Sequence, residues 1–149
     1  MKRHQIAIVS IDTIDEPLMA AVVGRWASRA AMQGGVTLLM ADRNDAERRM
    51  AAIAVERKLP CEVETLSRLP RRCTELVALW DERDIDGAIC ISGALRTRCP
   101  VHLYYAPARA WYTQQKVIGL MVREVIKRKG SAPSSWRERK LLSKPKGGA

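Results

Sequence analysis

Residues 5–10, QIAIVS, and residues 36–42, VTLLMAD, decide the fold of this chain. Each is a short apolar run that ends at a polar residue, and each is followed by a long amphipathic pattern with helical spacing. The same alternation continues through residues 61–66, CEVETL, and residues 86–93, DGAICISG. Strands that alternate with helices predict βαβ units. We therefore expect an α/β protein: a Rossmann-like three-layer sandwich with a mostly parallel sheet of four or five strands.

The predicted elements fill most of the chain and end in a long C-terminal helix. Strands are predicted at residues 5–10, 36–41, 62–66, 86–93 and 101–105, and helices at residues 17–32, 45–58, 71–83 and 107–129. Asp15 and either Asp42 or Asn44 are the expected N-caps of the first two helices. The predicted domain covers residues 1–130, and residues 131–149, rich in Pro, Ser, Gly and Lys, are predicted to be a disordered tail.

Charge and composition favour a basic protein without a membrane span. The 149 residues carry a net charge of +10, and the segment from Arg123 onward holds nine basic and two acidic residues. No run approaches the roughly 18 apolar residues that cross a bilayer. The four cysteines fit no zinc spacing, so the sequence predicts no metal and a cytoplasmic protein with reduced thiols. The uneven charge favours an anionic partner for the C-terminal part.

Polar residues follow three of the predicted strands. Because the carboxyl ends of parallel strands meet at one edge, we expect the residues that follow the strands to gather there, with arginines nearby. Helix N-termini at that edge also attract anions, so the interpretation is a nucleotide or phosphate pocket. The alternative is that the polar residues only cap helices and the arginines are solvated. The residues concerned are Ser10, Asp12, Asp42, Asn44, Ser92 and Gly93, with Arg43, Arg96 and Arg98.

Signatures of common enzymes are missing from the sequence. There is no G-x-G-x-x-G and no Walker motif. His4 and His102 are the only histidines, and neither stands beside a predicted nucleophile. Glu47 is the best acid candidate by position, although an acidic residue early in a helix also stabilises the helix dipole. No catalytic residue is predicted, the cofactor is unknown, and whether the protein is an enzyme stays open.

Aromatic and basic residues are interleaved toward the C-terminus, where Tyr104, Tyr105, Trp111 and Tyr112 alternate with Arg109 and Lys116 and Trp136 lies beside the basic residues of the tail. Aromatic rings stack on bases while Lys and Arg contact phosphates, so this segment predicts nucleic-acid binding, to DNA or to RNA. The alternative is a solubilising end, and a third possibility is a homo-oligomer in which Leu120 and Val125 of the last helix face a partner. The nucleic-acid candidates are Lys127, Arg128, Lys129, Trp136, Arg137, Arg139 and Lys140.

The middle of the chain, residues 35–93, resembles the SLOG superfamily of Rossmann-like domains, in particular its YspA-like group. The resemblance rests on AERRMAAIAVERKLP, CEVETL, RRCTELV and DGAICISG in that order. It implies a nucleotide-derived ligand, with Asp45 and Glu47 lining the pocket and Ser92 and Gly93 forming its far wall. Family members carry a glycine-rich turn after the second strand, where this chain reads ADRND. Such domains are common in phage and plasmid genomes.

Two functions follow from these observations. The first is a sensor or accessory protein that binds a nucleotide-derived ligand at the carboxyl ends of the strands. The second is a non-enzymatic nucleic-acid-binding accessory protein that uses the basic C-terminal helix and tail. A serine-recombinase interpretation, raised by the serine that ends the first strand, ranks below both, because no matching arginine set accompanies Ser10.

Overall fold

Five parallel strands and one antiparallel strand form the sheet at the centre of the molecule. The structure, a computed structural model, describes residues 4–131, apart from the side chains of residues 126 and 128–131. The strands are β1 (His4–Ser10), β2 (Val36–Met40), β3 (Cys61–Val63), β4 (Glu75–Trp80), β5 (Val101–Tyr105) and β6 (Ala110–Tyr112). The helices are α1 (Glu16–Gln33), α2 (Asp45–Glu56), α3 (Leu69–Arg72), α4 (Ile85–Arg96) and α5 (Gln114–Ser131). The predicted fold class is confirmed, with six strands rather than four or five.

The strand order is β3-β2-β1-β4-β5-β6, in which only β6 is antiparallel to its neighbour. β1 pairs in parallel with both β2 and β4, so the chain winds outward from β1 in both directions. This arrangement creates a topological switch point between β1 and β4, where open α/β sheets leave a crevice at the carboxyl ends of the strands. We call this side of the sheet the carboxyl edge and the opposite side the amino edge.

The two faces of the sheet are buried by different helices. α1 and α2 cover one face, against Ile6, Ile8, Leu38 and Met40, while α4 and α5 cover the other, against Ala7, Val9, Leu39 and Trp80. Alternate residues of β1 therefore point to opposite layers, and both sets are apolar because the strand is buried on both faces. Trp26 on α1 and Trp80 on β4 are among the largest fully buried side chains.

Two predicted elements are wrong. The helix predicted at residues 71–83 is the central strand β4, and the strand predicted at residues 86–93 is helix α4. The run ELVALW is apolar throughout because both of its faces are buried, and such a run fits a helical pattern as well as a strand. Asp84 accepts a hydrogen bond from the Gly87 amide at 2.9 Å and begins α4 as its N-cap.

The last part of the chain also differs from the prediction. β5 is confirmed at residues 101–105, but the long helix begins at Gln114 rather than at residue 107, since the short strand β6 intervenes. β3 is only three residues long and ends at Val63. The predicted N-cap Asp15 is confirmed by its bond to the Leu18 amide, and Asn44 caps α2 through the Glu47 amide.

Candidate functional site

Three loops line the carboxyl edge near the switch point. Residues 11–15 follow β1, residues 41–44 follow β2, and residues 81–84 follow β4. The first turns of α1, α2 and α4 open onto this edge, and each has a side-chain cap from Asp15, Asn44 or Asp84. Each of these caps accepts a hydrogen bond from one of the free amides in the first turn of its helix.

Glu47 is the buried centre of the polar network at this edge. Its side chain is 0% exposed. One carboxylate oxygen accepts from the Arg43 amide at 2.7 Å, and the other accepts from the Ser10 amide at 3.0 Å. Arg43 also donates to it from Nε at 3.0 Å and from Nη2 at 2.8 Å. Glu47 therefore ties the ends of β1 and β2 together from inside the first turn of α2.

Arg43 extends this network across the switch point to β4. Its Nη1 atom donates to Asp84 Oδ1 at 2.9 Å, and its Nη2 atom donates to the Ser10 carbonyl at 3.2 Å. Burial by itself lowers the pKa of Arg43, but the hydrogen bonds to Asp84 and Glu47 outweigh burial and leave the pKa raised. The guanidinium is a fixed cation that bridges two carboxylates, so its hydrogen-bonding capacity is spent inside the protein.

Several predicted ligand-binding residues do come together here, mostly as partners of one another. The Ser10 hydroxyl donates to the Ile11 carbonyl, and Asp12 accepts from the Ala46 backbone amide at 3.2 Å. The Asn44 side-chain Nδ2 donates to the Ser10 carbonyl. Asp42 and Asp45 lie at the outer rim, where both pair with Arg48. The capping alternative is confirmed for Asp15 and Asn44, but Asp42 pairs with Arg48 and Arg43 is bound by two carboxylates rather than solvated.

Ser92, Gly93 and Arg96 are not at this edge, and their predicted placement after a strand is wrong. All three lie in the second half of α4, because that segment is a helix. Ser92 has a buried hydroxyl without a partner among the described residues, and Gly93 packs against Pro70. Arg96, in the last turn of α4, lies at the opposite, amino edge together with Arg98.

Most of the predicted nucleic-acid-binding residues lie outside the described part of the chain. Lys127 is exposed on α5, and its Nζ atom lies 3.4 Å from the Glu124 carboxylate. The side chains of Arg128 and Lys129, and the whole of Trp136, Arg137, Arg139 and Lys140, are outside the described residues. Leu120 and Val125, predicted to face a partner, are both buried within the chain, and Leu120 belongs to the core on the α4 and α5 side of the sheet.

An open crevice lies beside the network, above the ends of β1, β4 and β5. It has a cavity volume of about 420 Å³ and is lined at its polar end by Thr13, Asp81, Arg83, Tyr104 and Arg109. A second cavity of about 300 Å³ shares Thr13, Asp81 and Arg83 with it and reaches toward Arg43. The two cavities are neighbours at the switch point and share these lining residues, and we call them together the crevice.

The crevice combines a carboxylate, two guanidinium groups and an aromatic ring. Asp81 is 7% exposed and accepts from the Arg83 amide at 2.9 Å and from its guanidinium at 3.0 Å. The Arg83 side chain is nevertheless 82% exposed. Arg109 is exposed, has a left-handed backbone with φ of 51°, and has no ion-pair partner among the described residues. Tyr104 is half-buried and packs edge-on against Trp111, with the ring centroids 5.4 Å apart.

Sequence reasoning missed Asp81 and Arg83, whereas Tyr104 and Arg109 belong to the aromatic and basic segment that was interpreted as a nucleic-acid contact. Asp81 and Arg83 were assigned to the end of a helix, although they follow a buried strand, as Ser10 and Asp12 do. The signal that would have identified them is the run ELVALW followed by DERD, an apolar strand that ends in charged residues.

The two histidines occupy structural positions away from the crevice. His4 begins β1 at the amino edge, and His102 Nε2 lies 2.8 Å from the Glu75 carboxylate. Within residues 4–131 no cluster of three His, Cys, Asp or Glu side chains is arranged to hold a metal ion. None of the helices in that part of the chain is long and apolar enough to cross a bilayer.

No family model, no curated protein and no solved structure matches this chain.

Proposed function

We propose that the protein binds a nucleotide-derived small molecule in the crevice and acts as a sensor or accessory protein. The observation that carries the proposal is the open crevice at the switch point, bordered by Arg83, Arg109 and Tyr104. Doubly wound sheets bind ligands at this position because two crossovers diverge there and leave the strand ends uncovered. The resemblance to SLOG domains favours the same ligand class, but Ser92 and Gly93, which it implies as the far wall of the pocket, lie in helix α4 away from the crevice.

The residues of the crevice match the parts of a nucleoside monophosphate. The Tyr104 ring offers a surface for stacking a base, and Asp81 offers a carboxylate to ribose hydroxyls. Arg83 and Arg109 supply guanidinium groups that bind phosphate in bidentate geometry. The phosphate is assigned to these arginines because both line the cavity, whereas each helix end at this edge already has a side-chain cap.

The buried network has a supporting role in this proposal. Glu47, Arg43 and Asp84 join the loops after β1, β2 and β4, so they hold one wall of the crevice in a fixed position. A preformed wall lowers the entropic cost of binding, since the loops are ordered before the ligand arrives. The proposal assigns binding to the crevice and assigns it no reaction.

Calorimetric titration of the full chain with AMP, adenosine and inorganic phosphate tests this proposal. We expect AMP to bind more tightly than adenosine, and Arg109→Ala to weaken AMP binding by about tenfold, the effect of one charge-assisted hydrogen bond. Arg49→Gln is the matched control, because it removes the same charge from a residue that pairs with Glu16 outside the crevice. Absence of AMP binding, or equal affinities for wild type and Arg109→Ala, would refute the proposal.

A further inference from the structure

The amino edge of the sheet carries a row of cations. Its loops, residues 33–35, 57–60, 71–74, 96–100 and 113–116, contain seven basic and no acidic residues. The corresponding loops at the carboxyl edge, residues 11–15, 41–44, 64–65, 81–84 and 106–109, contain seven acidic and three basic residues. The described part of the protein is therefore electrically polarised along its strands, and its excess positive charge lies at one edge.

Cations at the two edges differ in their partners. At the carboxyl edge and the adjoining start of α2, four of the five described cations are each held by a carboxylate, namely Arg43, Arg48, Arg49 and Arg83, and Arg109 is the exception. At the amino edge Arg72 is held in the same way, by Glu64 at 2.7 Å and Glu62 at 3.4 Å. Four exposed cations of the amino edge have no ion-pair partner within residues 4–131, namely Arg57, Lys58, Arg71 and Arg98. Unpaired exposed cations are the groups that contact a phosphate backbone without first breaking an internal ion pair.

Two of these cations have a backbone conformation that normally belongs to glycine. Lys58 follows α2 with φ of 58°, and Arg98 follows α4 with φ of 60°. Both helices end in the same motif, since the Leu59 amide donates to Ala54 and the Cys99 amide donates to Ala94, each at 2.9 Å. Each motif continues through a proline into the next strand. Because glycine adopts this conformation without strain, a requirement for stability alone would favour glycine at both positions.

The spacing of these cations suits an extended polyanion. Lys58 precedes β3 and Arg98 precedes β5, which are separated by four strand spacings, or about 19 Å. Arg71 lies between them along the edge, shortly before β4. The row therefore extends over several successive phosphates of a nucleic-acid strand. The large exposed apolar residues near this edge, Met32 and Val55, offer little area for insertion into a lipid surface.

We propose that the amino edge, with Lys58, Arg71 and Arg98 as its central cations, is a docking surface for the phosphate backbone of nucleic acid. Binding is independent of sequence, because cations on phosphates carry no base information. The surface lies on the opposite edge from the crevice, so a small ligand and a nucleic acid occupy the same molecule together. This inference stands apart from the proposed function, because no crevice residue contributes to it.

The test is binding of a labelled 20-base-pair DNA duplex to the full chain over a range of salt concentrations. We expect the double variant Lys58→Gly/Arg98→Gly to lose about tenfold in affinity for each cation at 0.1 M salt. The slope of log K against log salt should become shallower by about 2. The melting temperature should stay equal or rise, since glycine relieves both left-handed residues. A purely structural role predicts the reverse, namely a lower melting temperature with unchanged binding.

Arg48→Gln/Arg49→Gln is the matched control, because it removes the same charge at the carboxyl-edge end of α2 and should leave the affinity and the slope unchanged. The C-terminal tail is present in every variant, so its contribution cancels in the comparison. Absence of DNA binding by the wild type would overturn the proposal, as would equal losses in the control. Binding to vesicles of anionic lipid but not to DNA would overturn it in favour of a membrane surface.

Discussion

Replacing Glu47 by glutamine should destabilise the protein far more than the same replacement at an exposed glutamate. Glu47 is fully buried and accepts four hydrogen bonds, from the Ser10 amide and from three donors of Arg43. Glutamine keeps the shape but removes the negative charge and turns an NH₂ group toward donors. Arg43 then keeps only Asp84 as a charged partner.

The magnitude follows from the cost of breaking a buried ion pair. Removal of one partner typically costs 3–5 kcal/mol, and the surviving contact to Asp84 places Glu47→Gln near the lower end, at about 3 kcal/mol. For a domain of this size that corresponds to a fall in melting temperature of roughly 6–12 °C. Urea unfolding followed by circular dichroism measures the free energy directly.

Glu56→Gln on the same helix is the control for this measurement. Its carboxylate is 64% exposed and lies 3.5 Å from Arg49. An exposed pair of this kind contributes little, so the free energy of unfolding should change by no more than about 0.5 kcal/mol. A loss of less than about 1 kcal/mol in Glu47→Gln would refute the view that this network holds the three loops together.

Two further predictions concern single residues outside the network's centre. Gly87→Ala should lower the free energy of unfolding by about 1–3 kcal/mol, because the new Cβ would lie 2.3 Å from Asp84 Oδ2. Gly119→Ala is the control in α5, where the space around the new Cβ is open, and it should raise the free energy of unfolding by about 0.5–1 kcal/mol. Equal effects of the two substitutions in chemical denaturation would contradict the predicted clash at Gly87. Burial and the hydrogen bond to Glu82 raise the pKa of Tyr105. The folded state therefore keeps this proton after an unfolded tyrosine would lose it, and the resulting stability is complete below about pH 10 and declines above it. Tyr105→Phe should make that alkaline decline shallower, whereas an unchanged pH profile would contradict the assignment.

The fold class was predictable because the first half of the chain follows the simplest rules. Its strands are short apolar runs, its helices have clear N-caps at Asp15 and Asn44, and Gly34 ends α1 with a positive φ of 68°. From β1 to β3 each predicted element is confirmed, with β3 shorter than expected. Two crossovers of this kind are enough to predict a parallel sheet.

The prediction of secondary structure failed in the second half of the chain, where burial on both faces removes the alternation of apolar and polar residues. β4 is buried on both faces, so its uniform apolar pattern carries no period that separates a strand from a helix. α4 is rich in small and β-branched residues around Cys90 and Ile91, which favoured a strand in the prediction. As a result, strand β4 was predicted as a helix and helix α4 was predicted as a strand.

The position of the candidate site could be predicted from the sequence, but only some of its residues could. Ser10, Asp12, Arg43 and Glu47 lie at the carboxyl edge as expected. That Glu47 would be buried and bound by Arg43 could not be inferred from sequence, since an acidic residue in the first helical turn is ordinarily solvated. The crevice residues Asp81 and Arg83 were lost because β4 was assigned as a helix.

Amide chemical shifts of the ¹⁵N-labelled full chain during titration with AMP test the central claim most directly. A ligand in the crevice should shift the amides of residues 11–15, 81–84 and 104–109, which form its walls. The amides of residues 57–60 and 96–100, at the amino edge, should not respond. Shifts confined to the amino edge, or no saturable shifts at all, would contradict the assignment of the crevice as the ligand site.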